Sequence, residues 1–360
     1  MSRLLLLARR EGAAEAALLE DGVLQDFLRA PEDGALEPGA IHLARVARVH
    51  HPLGLVFLSL EGGGTATLEA GTTPPAEGEL AIVQVAAAAL GDKPARARRS
   101  VALVGRHVVL RPGAGAGGEA RLPRDAAGDR RLAAIAAAAA EAAGEGFALA
   151  LRSAARDAAP GAPALEAAAL AAGWRAAVAR AAGLSQPALL RAEDAARRAA
   201  LPLLRAQPVA AIAQARRERD ALAALGVEAA LEAPAGGLLA AHGVEEQLAL
   251  ATAPRVAIPG GGTLSVEDTR ALVAIDVDSG EAGRDGLGAR AAREVARVLR
   301  LRDCLGAIVV DFPREGEAGR RATARALEDA VRLDRRAMSL LGWTRGGLYE
   351  IRRSAEDGGR

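Results

Sequence analysis

Short apolar segments open the chain. "RLLLLA" at 3–8 reads as a strand, a turn follows, and a second strand is expected over "AALLEDGVLQDF", with Asp21-Gly22 as a hairpin turn. Residues 37–110 change character, with short Val/Leu-rich runs such as "AIHLARVARV", "GLVFLSL", "ELAIVQV" and "ALVGRHVVLRP" broken by Gly/Pro turns. That spacing predicts a small barrel or sandwich. A Gly-rich loop, "RPGAGAGGEA", follows. From 124 to about 201 the pattern is Ala/Arg/Leu helix, interrupted by a strand-like "GFALALRS" at 146–153. Residues 202–262 mix both types. Beyond 263 the order is strand (271–277), helix (about 289–302), strand (306–311), helix (about 318–341) and strand (346–353). The middle of that series is a βαβ unit, whose strands run parallel through a right-handed crossover.

Composition narrows the picture. Half the chain is hydrophobic, much of it alanine, and only 2% is aromatic, so the core must be aliphatic. Lys+Arg number 46 against 45 Asp+Glu, a net charge of +1; any basic surface has to be local. Lys93 is the only lysine and asparagine is absent, so Asn-to-Asp and Lys-to-Arg differences from a relative carry little weight. A single cysteine, Cys304, excludes an internal disulfide and a cysteine zinc cage and points to a reducing, cytoplasmic setting. "LLLL" at 4–7 is too short for a signal h-region, and no uncharged apolar run reaches membrane-span length; the Ala-rich stretch 132–151 contains Glu141 and Glu145. His42, His50, His51, His107 and His242 show no metal-ligand spacing, and Trp174 and Trp343 read as core.

The chemistry-bearing signal is a set of acids at strand ends. "ALVAIDVDSG" (271–280) and "GAIVVDF" (306–312) are apolar runs that end in Asp276, Asp278 and Asp311. In open α/β sheets the functional crevice lies at the carboxyl ends of parallel strands. Alternation puts Asp278 on the same side as Asp276. If the two strands are neighbours, about 5 Å apart, Asp276 and Asp311 could share an ion. Carboxylates that close repel unless a proton or cation intervenes, and Mg2+, which takes one or two carboxylates plus phosphate oxygens and waters, meets that need. Equally, strand-end aspartates can cap helices or bind loop amides.

"GGTLSVEDTRALVAIDVDSG", "AREVARVLRLRDCLGAIVVDF" and "LEDAVRLDRRAMSLLGWTRGGLYEIRR" together resemble the catalytic region of the ribonuclease E/G family. "HGVEEQLALATAPRVAIPGGG" (242–262), "GAIHLARVARVHHPLGLVFLSLEG" (39–62) and "RSVALVGRHVVLRPGAGAGGEAR" (99–121) extend the similarity over nearly the whole chain. The resemblance implies an α/β multidomain fold: an RNase H-like part (1–36 and 202–262) with an inserted OB-fold RNA-binding module (37–110) and a 5′-sensor-like, Ala-rich helical region (111–201), then a DNase I-like catalytic domain (263–360). It implies a Mg2+-dependent endoribonuclease that cleaves single-stranded RNA in processing or decay, rRNA maturation included, leaving 5′-phosphates. The metal-binding aspartates fall on Asp276 and Asp311, and a third active-site position, usually Asn, on Asp278. The pair that reads a 5′-monophosphate, usually Arg-Thr, falls on Arg152 and Ser153. Phe57 matches an aromatic on which bases stack, while a second such aromatic is Thr67. Lys93 matches an RNA-backbone lysine, with Arg96, Arg98 and Arg99 beside it, and Arg345 matches an arginine near the active site. Arg352 and Arg353 are either RNA contacts or solvated.

Departures from the family pattern support a second expectation. The connection between the catalytic strands ("EAGRDGLG") is short, Arg314 in "DFPRE" stands where another acid is common, and Gly346 replaces an aromatic. The chain stops soon after "YEIRRS", before the cysteine-containing zinc link and small domain through which relatives assemble. No zinc-linked tetramer is therefore expected, leaving a monomer or dimer. The alternative is a catalytically weak or inactive RNA-binding relative; a third reading is a metal-dependent phosphoesterase acting on something other than RNA.

Overall fold

The computed structural model describes residues 2–32, 34–72, 74–89, 93–113, 120–123, 129–204, 209–283, 285–332 and 334–357. The first sheet is built by β1 (Arg3–Arg10), β2 (Ala13–Glu20) and β3 (Val23–Pro31). Both of its hairpin turns place an acid-glycine pair at positive φ: Glu11 and Gly12 at 48° and 70°, Asp21 and Gly22 at 47° and 80°. That is the two-residue geometry whose twist suits flanking strands. The Asp21-Gly22 turn is where the sequence puts it, but the segment expected as one strand, 16–27, is the end of β2 and the start of β3. Inside β1, Leu5 and Leu7 pack into one cluster and Leu6 and Ala8 into another, so both sheet faces are covered.

The predicted barrel forms. Strands β4 (Ile41–His50), β5 (Leu55–Ser59), β6 (Thr65–Glu69), β7 (Leu80–Ala87) and β8 (Ala95–Arg98) follow the order β4-β5-β6-β8-β7, and a β4–β7 pairing closes the ring. Its interior is aliphatic, with Val46, Val56, Leu58, Leu68 and Val83 buried. A third, three-stranded sheet joins β9 (Leu103–Val104), β10 (Val108–Pro112) and β11 (Phe147–Leu151). It lies under α1 (Arg130–Ala143) and α2 (Ala162–Ala182), whose contact is made by small residues: Ala136, Ala139 and Ala143 against Ala167 and Ala171. The Gly-rich loop expected over 111–120 lies largely outside the described residues. Strand β12 (Ala188–Arg191), inside the stretch expected as helix, adds to the barrel beside β4. The chain then returns to the first sheet through α3 (Ala195–Ala200), β13 (Ala210–Ala213), α4 (Arg216–Ala223) and β14 (Ala230–Leu231), with β13 parallel to β1.

One carboxylate pins the third sheet to its helices. Glu166 of α2 accepts from the backbone N–H of Arg106, His107 and Val108 at 2.6, 2.7 and 3.1 Å. Burial alone would raise its pKa, but the hydrogen bonds from His107 and Arg106 outweigh burial and hold the carboxyl below its ordinary 4.5. A folded value lower than the unfolded one means the contribution is complete above pH 4.5 and is lost as pH falls through the folded value. Thermal melts of Glu166→Gln should therefore differ from the parent at neutral pH, and the gap should narrow on acidification.

After α5 (Leu238–Ala241) and α6 (Val244–Thr252) comes the last sheet: β15 (Arg255–Ala257), β16 (Thr263–Asp268), β17 (Val273–Asp278), β18 (Gly306–Asp311), β19 (Arg336–Trp343) and β20 (Tyr349–Asp357), in the order β15-β16-β17-β18-β20-β19. The crossover from β17 to β18 runs through α7 (Leu287–Leu301), and α8 (Glu317–Val331) follows β18. Both helices cover one face, where Ile275, Val277, Ile308 and Val310 meet Val295, Val298, Leu299 and Leu327. Burying each such side chain contributes roughly 1.5–3 kcal/mol.

The helix expected over 318–341 stops at Val331. Residues 336–343 are an edge strand instead, because pairing with β20 satisfies their backbone and Gly342 adopts φ 98°, which a helix does not allow. Among the described residues, no helix is long and apolar enough to cross a membrane.

Candidate active site and nucleic-acid surfaces

Along β17, burial alternates. Val273, Ile275 and Val277 turn into the core while Asp276 and Asp278 are exposed. Strand β18 repeats this, with Ile308 and Val310 inward and Asp311 exposed. The acids therefore share the sheet face opposite α7 and α8. In the parallel register Asp276 stands directly opposite Asp311, on strands about 4.8 Å apart. This is the neighbour relation the 35-residue spacing suggests. Asp278, two residues on, carries its carboxylate into the following loop, where Oδ1 accepts from the Gly280 N–H at 3.0 Å. Among the described residues, no group of three or more His, Cys, Asp or Glu side chains is placed to hold a metal. The arrangement is a carboxylate pair with a third acid turned aside, and a pair is the protein share Mg2+ uses when waters and phosphate complete its shell.

Neighbouring segments frame this edge. Thr263 pairs with Asp278 and Ser265 with Asp276. The turn before Thr263 contains Gly262 at φ 95°, where a Cβ would lie 2.8 Å from the Asp278 carbonyl oxygen, so glycine alone fits between the strands. Arg345 is exposed in the β19–β20 turn, which lies at the same sheet end because β20 runs antiparallel to β18. Trp343, Phe312 and Tyr349 pack edge to face there, with centroids 5.1–6.2 Å apart, and the Arg320 guanidinium lies over Trp343 at 5.0 Å. Trp343 is thus core-facing. Glu315, beside Arg314, bonds the Gly288 N–H at the start of α7 at 3.1 Å and the Thr323 hydroxyl at 3.4 Å, so it serves a helix end.

Phe57 is half-buried but lies outside the barrel core, since its neighbours Val56 and Leu58 point inward. Across the strands it faces Arg48 on one side and Thr67 on the other, and Thr67 faces Arg96. A row Arg48–Phe57–Thr67–Arg96 thus crosses the barrel's outer wall, with both arginines exposed. Lys93 is exposed just before β8. Arg48 had no sequence signal; only the β4–β5 pairing places it opposite Phe57.

Arg152 and Ser153 directly follow β11. The Arg152 guanidinium donates to the Gly105 carbonyl, and both residues line a cavity of about 800 Å3. Its far wall is formed by Asp303, Arg332 and Arg336. These lie at the other end of the last sheet from the aspartate pair, roughly the ~17 Å length of six-residue β18 away. Arg352 is exposed, whereas Arg353 is fully buried and pairs with Asp334 and Asp303 at 3.0 and 2.8 Å, a structural role. Asp303, despite its burial, is held far below the ordinary carboxylate range by hydrogen bonds and charge from Arg336 and Arg335.

Comparison with known proteins adds an independent finding. The model of the ribonuclease E/G family matches residues 102–356. The chain is 37% identical over 125 residues to ribonuclease E of Escherichia coli, covering 32% of this chain and 12% of that protein. It is 38% identical over 122 residues to the chloroplastic ribonuclease E/G-like protein of Arabidopsis thaliana (31% and 12%). To ribonuclease G of Salmonella typhimurium it is 31% identical over 121 residues (31% and 25%). The matched segment thus spans between about one eighth and one quarter of these relatives' lengths.

Proposed function

This chain belongs to the ribonuclease E/G family, and on that premise we propose that it is a Mg2+-dependent endoribonuclease acting on single-stranded RNA and leaving 5′-phosphate ends. The observation that carries the reading is Asp276 opposite Asp311 on one exposed strand edge. These two carboxylates would hold Mg2+, which supplies positive charge against the scissile phosphate and readies a water for attack. Asp278 sits two residues on and orients groups around the pair through the loop it anchors. Arg345, at the same edge, offers a guanidinium to the phosphate. The closed barrel acts as the OB-fold RNA-binding module: bases stack on Phe57 while Arg48, Arg96 and Lys93 neutralise the backbone. Arg152 and Ser153 read a terminal 5′-phosphate. The architecture then corresponds to an RNase H-like part (1–36 and 202–262), the barrel (37–110), a sensor (111–201) and a DNase I-like domain (263–360), and the site of action is the cytoplasm.

A second reading, an RNA binder without turnover, draws on the absence of a three-carboxylate group among the described residues. One experiment separates them. The full chain is incubated with a 5′-monophosphorylated AU-rich oligonucleotide, with Mg2+ or with EDTA. Cleavage only with Mg2+, to 5′-phosphate products, is the expected result. Salt-dependent binding with no cleavage in either buffer would establish the binder instead.

A further inference from the structure

The cavity beside Arg152 is far larger than a terminal phosphate needs. Its ~800 Å3 lies in the range of roughly 300–1,000 Å3 that accommodates whole drug-sized ligands. Four blocks of the fold meet around it: β7 and β8 of the barrel, the β9–β11 sheet, α3 with the edge of β3, and the segment before β19. Among the described residues, eleven arginines and four carboxylates line it. All four carboxylates are already engaged: Glu193 by Arg197, Glu37 by Arg198, Asp303 by Arg335 and Arg336, and Asp334 by Arg353. Of the arginines, Arg3, Arg29, Arg332 and Arg335 are paired in turn with Glu20, Glu15, Asp329 and Asp26, which do not line the cavity, so the positive charge turned toward it is that of a few side chains, Arg111 and Arg106 foremost. The Arg111 side chain is exposed and has no hydrogen-bond or ion-pair partner among the described residues. Arg106 donates one nitrogen to the Leu225 and Gly226 carbonyls, while its Nε is buried without a hydrogen-bond partner. Low-dielectric walls amplify such a field. Between the arginines lie apolar side chains, Val85, Leu201 and Leu305 among them, and among the described residues no aromatic lines the cavity.

We propose that this cavity is a docking site for a short run of phosphodiester-linked nucleotides, about two or three, adjoining the 5′ end of single-stranded RNA, with Arg111 and Arg106 contacting internal phosphates. The proposal rests on the reading of Arg152 and Ser153 as the terminal-phosphate contact, and extends it inward along the strand. Recognition there is of charge and backbone, with sugars and bases against aliphatic walls, and so is tolerant of sequence. Because the cavity lies at the opposite end of β18 from Asp276 and Asp311, the docked nucleotides are remote from the bond to be cut. They act on substrate binding, and KM responds while the single-turnover rate at saturation does not.

The test is fluorescence anisotropy in EDTA, so that hydrolysis plays no part and the magnesium reading can fail independently. The probes are a 5′-phosphorylated trinucleotide, its 5′-hydroxyl counterpart and ATP as a free polyphosphate. The trinucleotide should bind tightest, with log K falling by about 0.7 per contacted phosphate for each unit of log salt. Arg111→Ala should weaken it about tenfold and lower that slope by roughly 0.7; Arg111→Glu should weaken it further, with circular dichroism unchanged. Trinucleotide affinity and slope untouched by Arg111→Ala and Arg106→Lys would overturn the proposal, as would ATP binding equally well. If Arg152→Ala alone abolishes preference for the 5′-phosphate, the terminal contact stands while the extended site fails. If Arg152→Ala has no effect but Arg111→Ala does, the extended site stands without the sensor.

Discussion

Asp311→Asn should lower Mg2+-dependent cleavage by at least about 1,000-fold, equivalent to ~4 kcal/mol of transition-state stabilisation. Asparagine keeps the shape of the side chain but removes the charge, leaving Asp276 to face an uncharged amide across the parallel pair. Binding of the same RNA in EDTA should stay within about threefold of the parent, because the phosphate contacts assigned to the barrel and to Arg152 are untouched and one repelling charge is gone. Single-turnover cleavage and anisotropy on the same preparation read the two quantities separately. Turnover within tenfold of the parent would mean that the pair does not hold the catalytic ion. Asp276→Asn should behave alike, whereas Asp278→Asn, which restores the family's usual residue, should leave cleavage intact or raise it.

The second large effect concerns assembly of the fold. Arg335→Ala should cost about 3–5 kcal/mol of stability, because it removes one member of a buried ion pair. Arg335 is only 2% exposed, and its partner Asp26 on β3 only 5%. The same guanidinium reaches Asp303 at 2.8 Å and the Arg300 carbonyl at 3.2 Å. Alongside, Arg300 and Arg297 of α7 donate to the Gln25 and Leu24 carbonyls of β3, each at 3.0 Å. This cluster fastens the first sheet to the last one. Urea unfolding of Arg335→Ala should show a large drop in midpoint, and the Asp26→Ala/Arg335→Ala double variant should be less destabilised than the sum of the single variants. A loss under 1 kcal/mol would show that water, rearrangement or the nearby Arg300 compensates the Asp26 carboxylate.

Some of this was legible beforehand. The Asp21-Gly22 turn announces itself because few residue pairs tolerate two successive positive φ values. The opposed aspartates were readable because a 35-residue spacing with one amphipathic helix between two apolar runs leaves little topology besides a parallel neighbour pair. Other features were not. "RAMSLLGW" carries an apolar pattern compatible with helix, and only the partner strand β20 decides that it is an edge strand. "ALLR" at 188–191 joins a barrel whose first strand begins almost 150 residues earlier. Phe57, inside "VFL", could have faced either way until the barrel closed with Val56 and Leu58 inside. Asp278 shares a strand face with Asp276, yet the Gly280 amide draws its carboxylate into the loop.

The sequence by itself determined the local alternations, the tight turns, the acids at two strand ends and the family to which they point. These are short-range matters, since helix and strand periods and glycine's freedom act over a few residues. Tertiary structure alone decided the arginine-lined cavity, the Asp26–Arg335 fastening and the outward row from Arg48 to Arg96. Their members come from segments tens to hundreds of residues apart. They meet only because burial of separate apolar faces brings those segments together, and that long-range packing leaves no periodic trace along the chain.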